Sequence, residues 1–291
     1  MSRPRKSREI VQTKSVGRVG RLALEYVRQE TRTAFSRTNC QSPWHLFPPI
    51  YLDDSGTAYT LLLNPSGGLV GGDHLSIDLT VGPDGHVLIS TPSANRVYRS
   101  VAETSVQDID IHLDHGAILE WFPEHTIPFA GSRFRQSIHV QLAKDAIVLL
   151  WDAIASGRIA RGERWAFISL ENEIRITTAQ GLSLLERYNL APAAEPGQVG
   201  LAAEWDYVAS LFVVGDGVSD DVWSRLQTEA ALILDQQPGR LLGGVSRPAI
   251  PGMAVKLVAR SAPDLNAACD ALWAAVRQML WALPPAVLRK Y

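Results

Sequence analysis

The chain has 291 residues, 46% of them hydrophobic and 20% charged, with 28 basic and 30 acidic side chains and a formal net charge of −2. That balance suits a globular protein with a sizeable core, in one large domain or two small ones, and argues against a nucleic-acid binder driven by phosphate neutralisation. Two cysteines, Cys40 and Cys269, far apart and without a CxxC spacing, argue against a disulfide framework or a cysteine-rich zinc site.

Residues 1–16 form a basic tail with Arg3, Arg5, Lys6 and Arg8. No apolar segment follows, so it does not read as a secretory signal. It reads as a flexible tail or a basic contact arm. From residue 17 to 291 no linker and no solenoid-length repeat appears, which favours a single domain.

Strand signals dominate the first two thirds. Val87, Ile89 and Thr91 alternate with other residues, as do Ile138, Val140 and Leu142, and then Ile174, Ile176 and Thr178. Period-two alternation predicts strands with one buried face. Turn signals separate them at Asp54-Ser55-Gly56, Gly82-Pro83-Asp84-Gly85, His115-Gly116 and Gln180-Gly181. No helical stretches lie between, which argues against βαβ units and for a mainly β sandwich, barrel or stacked-sheet design. The apolar run Ala146 to Trp151 stops at Asp152. A membrane helix needs roughly 20 such residues, so a cytoplasmic protein without a membrane partner is the expectation.

Two helices are predicted in the C-terminal third. Ser219 or Asp220 caps the first, whose apolar face carries Val222, Leu226, Ala230, Ile233 and Leu234 and which ends near Pro238-Gly239. The second starts near Asp264, carries Leu265, Cys269, Leu272, Val276, Leu280 and Leu283, and stops at Pro284-Pro285. This helix and a Pro/Ala/Gly-rich loop from Ala191 to Gly200 are candidate docking surfaces.

Four segments could carry chemistry. In Asn64-Pro65-Ser66-Gly67-Gly68-Leu69-Val70-Gly71-Gly72-Asp73 the glycines permit positive φ and close approach. The segment lacks a P-loop lysine and a following helix, and reads most simply as a tight turn capped by Asp73. In Leu119 to Phe129, Glu120 and Glu124 could form an acid–base pair, or oxygen ligands with nitrogen from His125. The plainer reading is a strand edge held by Pro123 and Pro128 with its charges in solvent. In Trp151 to Glu163, Arg158 and Arg161 could clamp Asp152 or Glu163, as a polar channel lining, a partner contact or a structural ion-pair network. His112 and His115 resemble a ligand pair, but positions three apart on a strand face opposite ways, so a surface pair is the simpler reading. No GxSxG, HExxH, Walker A or GxGxxG pattern occurs.

These segments resemble, in order and spacing, the UreD (UreH) family of urease accessory proteins. Residues 64–73 are similar to its Pro-x-Gly-Gly-Leu-x-Gly-Gly-Asp signature, and Thr91 to Ser100 to its Thr-x-x-Ala-x-Lys-x-Tyr-Arg segment. Leu119 to Phe129, then Arg135-Gln136, resembles its Leu-Glu-x-x-Pro-x-x-x-Ile-Pro run, and Gly157 to Glu163 its Gly-Arg-x-Ala-x-Gly-Glu loop. On this likeness Gly67, Gly68, Gly71, Gly72, Tyr98, Arg99, Pro123, Pro128, Gly157, Arg158 and Gly162 are the structural positions of the motifs. Three residues depart from the pattern: Arg96 replaces a common lysine, Asp152 a frequent glutamate and His74 a frequent arginine.

The resemblance implies a β-helix-like stack of sheets with a small helical part, and no enzyme activity. It implies a complex with UreF, the GTPase UreG and the urease apoprotein, in which this chain is a conduit for Ni²⁺ held only transiently. A conduit needs weak, sequential oxygen ligands, and Asp73, Glu120, Asp152 and Glu163 are the passage candidates. The alternatives are a carbohydrate-active β-protein using Glu120 and Glu163 as an acid–base pair, or a purely structural β-scaffold.

Overall fold

The computed structural model describes residues 17–192, 204–286 and 288. The basic tail and all but the first two residues of the Ala191–Gly200 loop lie outside them.

The chain starts with an antiparallel pair, β1 (Val19–Gln29) and β2 (Arg32–Cys40), followed by β3 (His45–Leu46) and β4 (Ala58–Leu63). It then winds between two sheets. β5 (His74–Val81), β8 (Ser105–Leu113), β11 (Arg133–Leu142) and β13 (Ser169–Thr177) enter the first sheet; β6 (His86–Ser90), β9 (Ile118–Phe122) and β12 (Ile147–Ala155) enter the second. Within each sheet these successive strands are parallel. Crossing to the opposite sheet supplies the long connection that parallel pairing requires, a job that helices do in βαβ folds. Two short strands, β7 (Asn95–Val97) and β10 (Thr126–Pro128), pair with each other, and β10 joins β12 of the second sheet through Thr126 and Ile154.

Antiparallel strands finish the stack. β14 (Ser183–Leu190) pairs with β13, while β15 (Tyr207–Gly215), β17 (Gly252–Ala259) and β16 (Leu241–Ser246) extend the second sheet from β12. The first sheet thus reads β14-β13-β11-β8-β5-β1-β2 and the second β16-β17-β15-β12-β9-β6-β4-β3. The two helices, α1 (Asp220–Asp235) and α2 (Ala262–Trp281), lie against the outer face of the second sheet.

The architecture has three layers and two cores. Inward residues of both sheets, such as Ile77, Ile109, Ile138, Ile174, Leu150 and Phe212, fill the first core. Opposite-phase residues of the second sheet, such as Leu149, Trp151, Leu211 and Val255, meet the helices in the second core. This is why β12 is buried on both faces and reads as a continuous apolar run.

The helices form where their caps and periodicity place them. Ser219 caps α1 and Ser261 caps α2, each accepting from a backbone N–H three residues on. α2 therefore begins two residues before Asp264. Its apolar stripe (Leu265, Cys269, Leu272, Val276) is consumed in the second core, so that face is not the free docking surface its sequence suggests. No helix among the described residues is long and apolar enough to cross a membrane.

Candidate functional site

The four motif segments meet at one end of the stack. Leu69 N–H donates to the Arg96 carbonyl, Tyr98 N–H to that of Leu69, and Phe129 N–H to that of Val97. The Tyr98 hydroxyl donates to the Gly67 carbonyl at 3.2 Å, and its ring meets Phe129 edge-on at 5.0 Å. The Arg158 guanidinium lies 4.3 Å from the Phe129 ring centroid and donates through Nε to Glu163 Oε2 at 2.7 Å. Glu163 Oε2 also accepts from the Ala130 N–H at 3.2 Å. Glu163 is thus Arg158's partner, and the Arg158 bonds hold its carboxyl below the ordinary value. Arg99 is exposed, with its stem beside Gly131. Gly157 is buried, with its own φ in the positive region, and Gly162 closes the short turn after Arg158.

Asp73 caps the glycine turn. Its Oδ2 accepts from Val70 N–H at 2.9 Å and its Oδ1 from Arg18 N–H at 2.8 Å. The loop approaches its neighbours closely: at Gly68, φ is +147° and a Cβ would overlap the Arg96 carbonyl. Gly71 and Gly72 press against Ser100 and Glu103 in the same way.

Glu120 and Asp152 part company by strand parity. On β9, Trp121 faces the inter-sheet core and Glu120 faces the helices. Glu120 is fully buried, not at a solvent-facing strand edge. His86 Nε2 donates to Oε1 at 2.8 Å, Arg277 Nη1 donates to Oε1 at 2.6 Å, and Trp273 Nε1 donates to Oε2. Burial pushes its pKa up, but the His86 hydrogen bond, the His86 and Arg277 charges and the Trp273 bond outweigh that and leave it below the ordinary value. Glu124 lines the mouth of a cavity described below, and His125 lies 3.7 Å from it. Glu120 and Glu163 belong to separate networks, and neither lines that cavity. His112 and His115 are exposed and pair with separate aspartates. Among the described residues no group of three or more His, Cys, Asp or Glu side chains is arranged to hold a metal.

Asp152 faces the space between the sheets. Gln136 Nε2 donates to its Oδ1 at 3.0 Å and Asn172 Nδ2 to its Oδ2 at 2.9 Å. Asn172 also donates to the Tyr188 hydroxyl at 3.0 Å. Pairing register makes this a continuous rung. Gln107, Gln136, Asn172 and Tyr188 lie side by side on the first sheet. Facing them, Asp152, Ser210 and Lys256 lie side by side on the second. Burial raises the Asp152 pKa, against the pull of Gln136, Asn172 and the Lys256 charge.

One end of the rung opens into a cavity of ≈ 90 Å³ lined by Gln107, Gln136 and Asp152, with Gly67, Gly68 and Glu124 at its edge. That is more than the minimum a single water molecule needs. Trp44 and Trp121 also line it, and their buried indole N–H groups have no protein partner. Buried donors of this kind are ordinarily satisfied by water, which the cavity has room to hold. The other end of the rung reaches Glu186 of β14 and the half-exposed Lys256. Sequence reasoning missed Gln107, Asn172, Tyr188, Glu186, Ser210 and Lys256, and gave Gln136 no role in a site. The inward phase set by Ile138 and Ile174, extended two residues back, would have found Gln136 and Asn172.

The fold and site define a two-sheet β-stack with a polar rung between its sheets, one end of it opening into a cavity. The UreD urease accessory protein family matches this chain over residues 18–290. A urease accessory protein UreD of Deinococcus radiodurans is 35% identical over 275 residues, covering 94% of this chain and 95% of that one. A UreD of a Picosynechococcus species is 32% identical over 277 residues, 93% of each. UreD 2 of Streptomyces griseus is 31% identical over 283 residues, 95% of each. The chain belongs to the UreD family of urease accessory proteins.

Proposed function

We propose that this chain serves urease maturation by letting Ni²⁺ cross its interior along the polar rung, in a complex with UreF, the GTPase UreG and the urease apoprotein. The observation that carries this reading is the rung itself. It runs from a cavity beside the family's glycine loop toward Glu186 and Lys256, with Asp152 at the cavity end.

The ligand chemistry suits transit. Asp152 is the carboxylate at the cavity end of the rung, and its hydrogen-bond partners are the Gln136 and Asn172 amides. Oxygen donors hold a borderline cation such as Ni²⁺ weakly compared with imidazole or thiolate sets. Rotating the Gln136 and Asn172 amides would exchange N–H donors for carbonyl oxygens and let the cation be passed on. Among the four passage candidates, Asp152 takes the transit role. Asp73, Glu120 and Glu163 hold the walls: the glycine turn, the α2 contact and the Arg158 loop.

The test is urease activation by the complete accessory complex carrying D152A or D152N. Activation should fall at least ten-fold for D152A while the complex still assembles. Full activation by both variants would defeat the passage reading.

A further inference from the structure

Lys256 closes the far end of the rung. Its ammonium contacts the Glu186 carboxylate, donates to Ser210 Oγ at 2.9 Å and lies 4.8 Å from the Phe212 ring centroid. Ser210 Oγ in turn donates to Glu186 Oε1 at 3.1 Å. Asp152, Ser210 and Lys256 are register partners on neighbouring strands. Adjacent strands lie about 4.8 Å apart, which places the Asp152 and Lys256 backbones about 10 Å from each other.

Lys256 is also the sole charged residue of β17, in the segment Gly252-Met253-Ala254-Val255-Lys256-Leu257-Val258-Ala259. Its side chain is 52% exposed while Glu186 is 12% exposed. The carboxylate is therefore fixed in the wall, whereas the ammonium sits on a flexible stem that can leave. An oxygen-lined position already holds a cation, and that cation is the protein's own.

On the passage reading above, we infer that Lys256 is a resident counter-cation that occupies the Glu186 end of the rung when no cargo is present, and swings into solvent when a divalent cation takes its place. Its charge compensates Glu186 and Asp152 in the empty protein. It also weakens cation binding at that end, so cargo is released rather than trapped. A unit charge at this range, discounted for the exposure of the side chain, alters divalent affinity by about ten-fold.

The experiment is calorimetric titration of the full-length chain with Ni²⁺ alone, using wild type, K256Q, K256R, E186Q, K256Q/E186Q and D152N, each checked for fold by circular dichroism. K256Q should bind Ni²⁺ about ten-fold more tightly than wild type, K256R should stay near wild type, and adding E186Q should cancel the gain. K256Q binding no tighter than wild type, with D152N still weakening binding, would overturn the Lys256 role and leave the passage standing. Binding indifferent to D152N in every background would overturn both.

Discussion

Arg277 on α2 donates from Nη1 to Glu120 Oε1 on β9 at 2.6 Å, and the two side chains are 2% and 0% exposed. This buried pair, 157 residues apart in sequence, fastens the helical layer to the stack. Arg277 also donates from Nε to the Pro284 carbonyl at 2.9 Å and reaches Asp53 at 3.5 Å. One guanidinium thus ties the helix, the turn after it and the second sheet together.

R277M leaves Glu120 buried and short of its cationic partner. Removing one partner of a buried pair costs about 3–5 kcal/mol, and urea denaturation at neutral pH should show a loss of that order. Glu120 has a depressed pKa in the folded state. Its stabilising contribution is therefore complete above the unfolded carboxyl value of about 4.3 and fades as pH falls through the lower folded value. The gap between wild type and R277M should narrow in acid; a gap that widens below pH 4 would contradict the assignment.

Asp152 has the opposite sign. Burial raises its folded pKa, so its charge costs stability once pH rises through that value, and the cost disappears below the unfolded value of about 3.9. D152N should therefore denature at higher urea than wild type at pH 8, by about 1 kcal/mol or more, and match it near pH 4. A side chain that costs stability where it works is a mark of function, and the same variant should impair urease activation.

Two glycines separate packing from conformational strain. G68A places a Cβ against the Arg96 carbonyl in a φ region that L residues avoid, and should cost about 1–3 kcal/mol while narrowing the cavity edge. At Gly162, φ is +74° with nothing within 4 Å, so G162A should cost only about 1 kcal/mol. Equal losses in thermal denaturation would contradict this reading of the loop.

Much of the fold could be read from residue patterns. The alternation around Ile138 and Ile174 marked β11 and β13, and the Ser219 cap and the apolar stripe from Leu265 marked the helices' starts to within two residues. The parallel winding was hidden, because a strand pattern says which face is buried and not which strand lies next to it. The site was half legible. Glu120 and Asp152 look alike in sequence, each a carboxylate within an apolar run. Only the parity of β9 and β12 sends one to the helices and the other to the inter-sheet space. Lys256 left a clear trace, a lone charge in an apolar strand, and so did Arg277, four residues after Trp273 on the buried side of α2.

The most direct measurement is anomalous diffraction at the nickel edge from crystals of the full-length chain soaked in Ni²⁺. A nickel peak between the sheets, within bonding distance of the Asp152 carboxylate and lost in D152A crystals, is the expected result. Nickel found only on exposed histidines such as His112, His115 or His139, with the inter-sheet cavity holding water alone, would contradict an interior route.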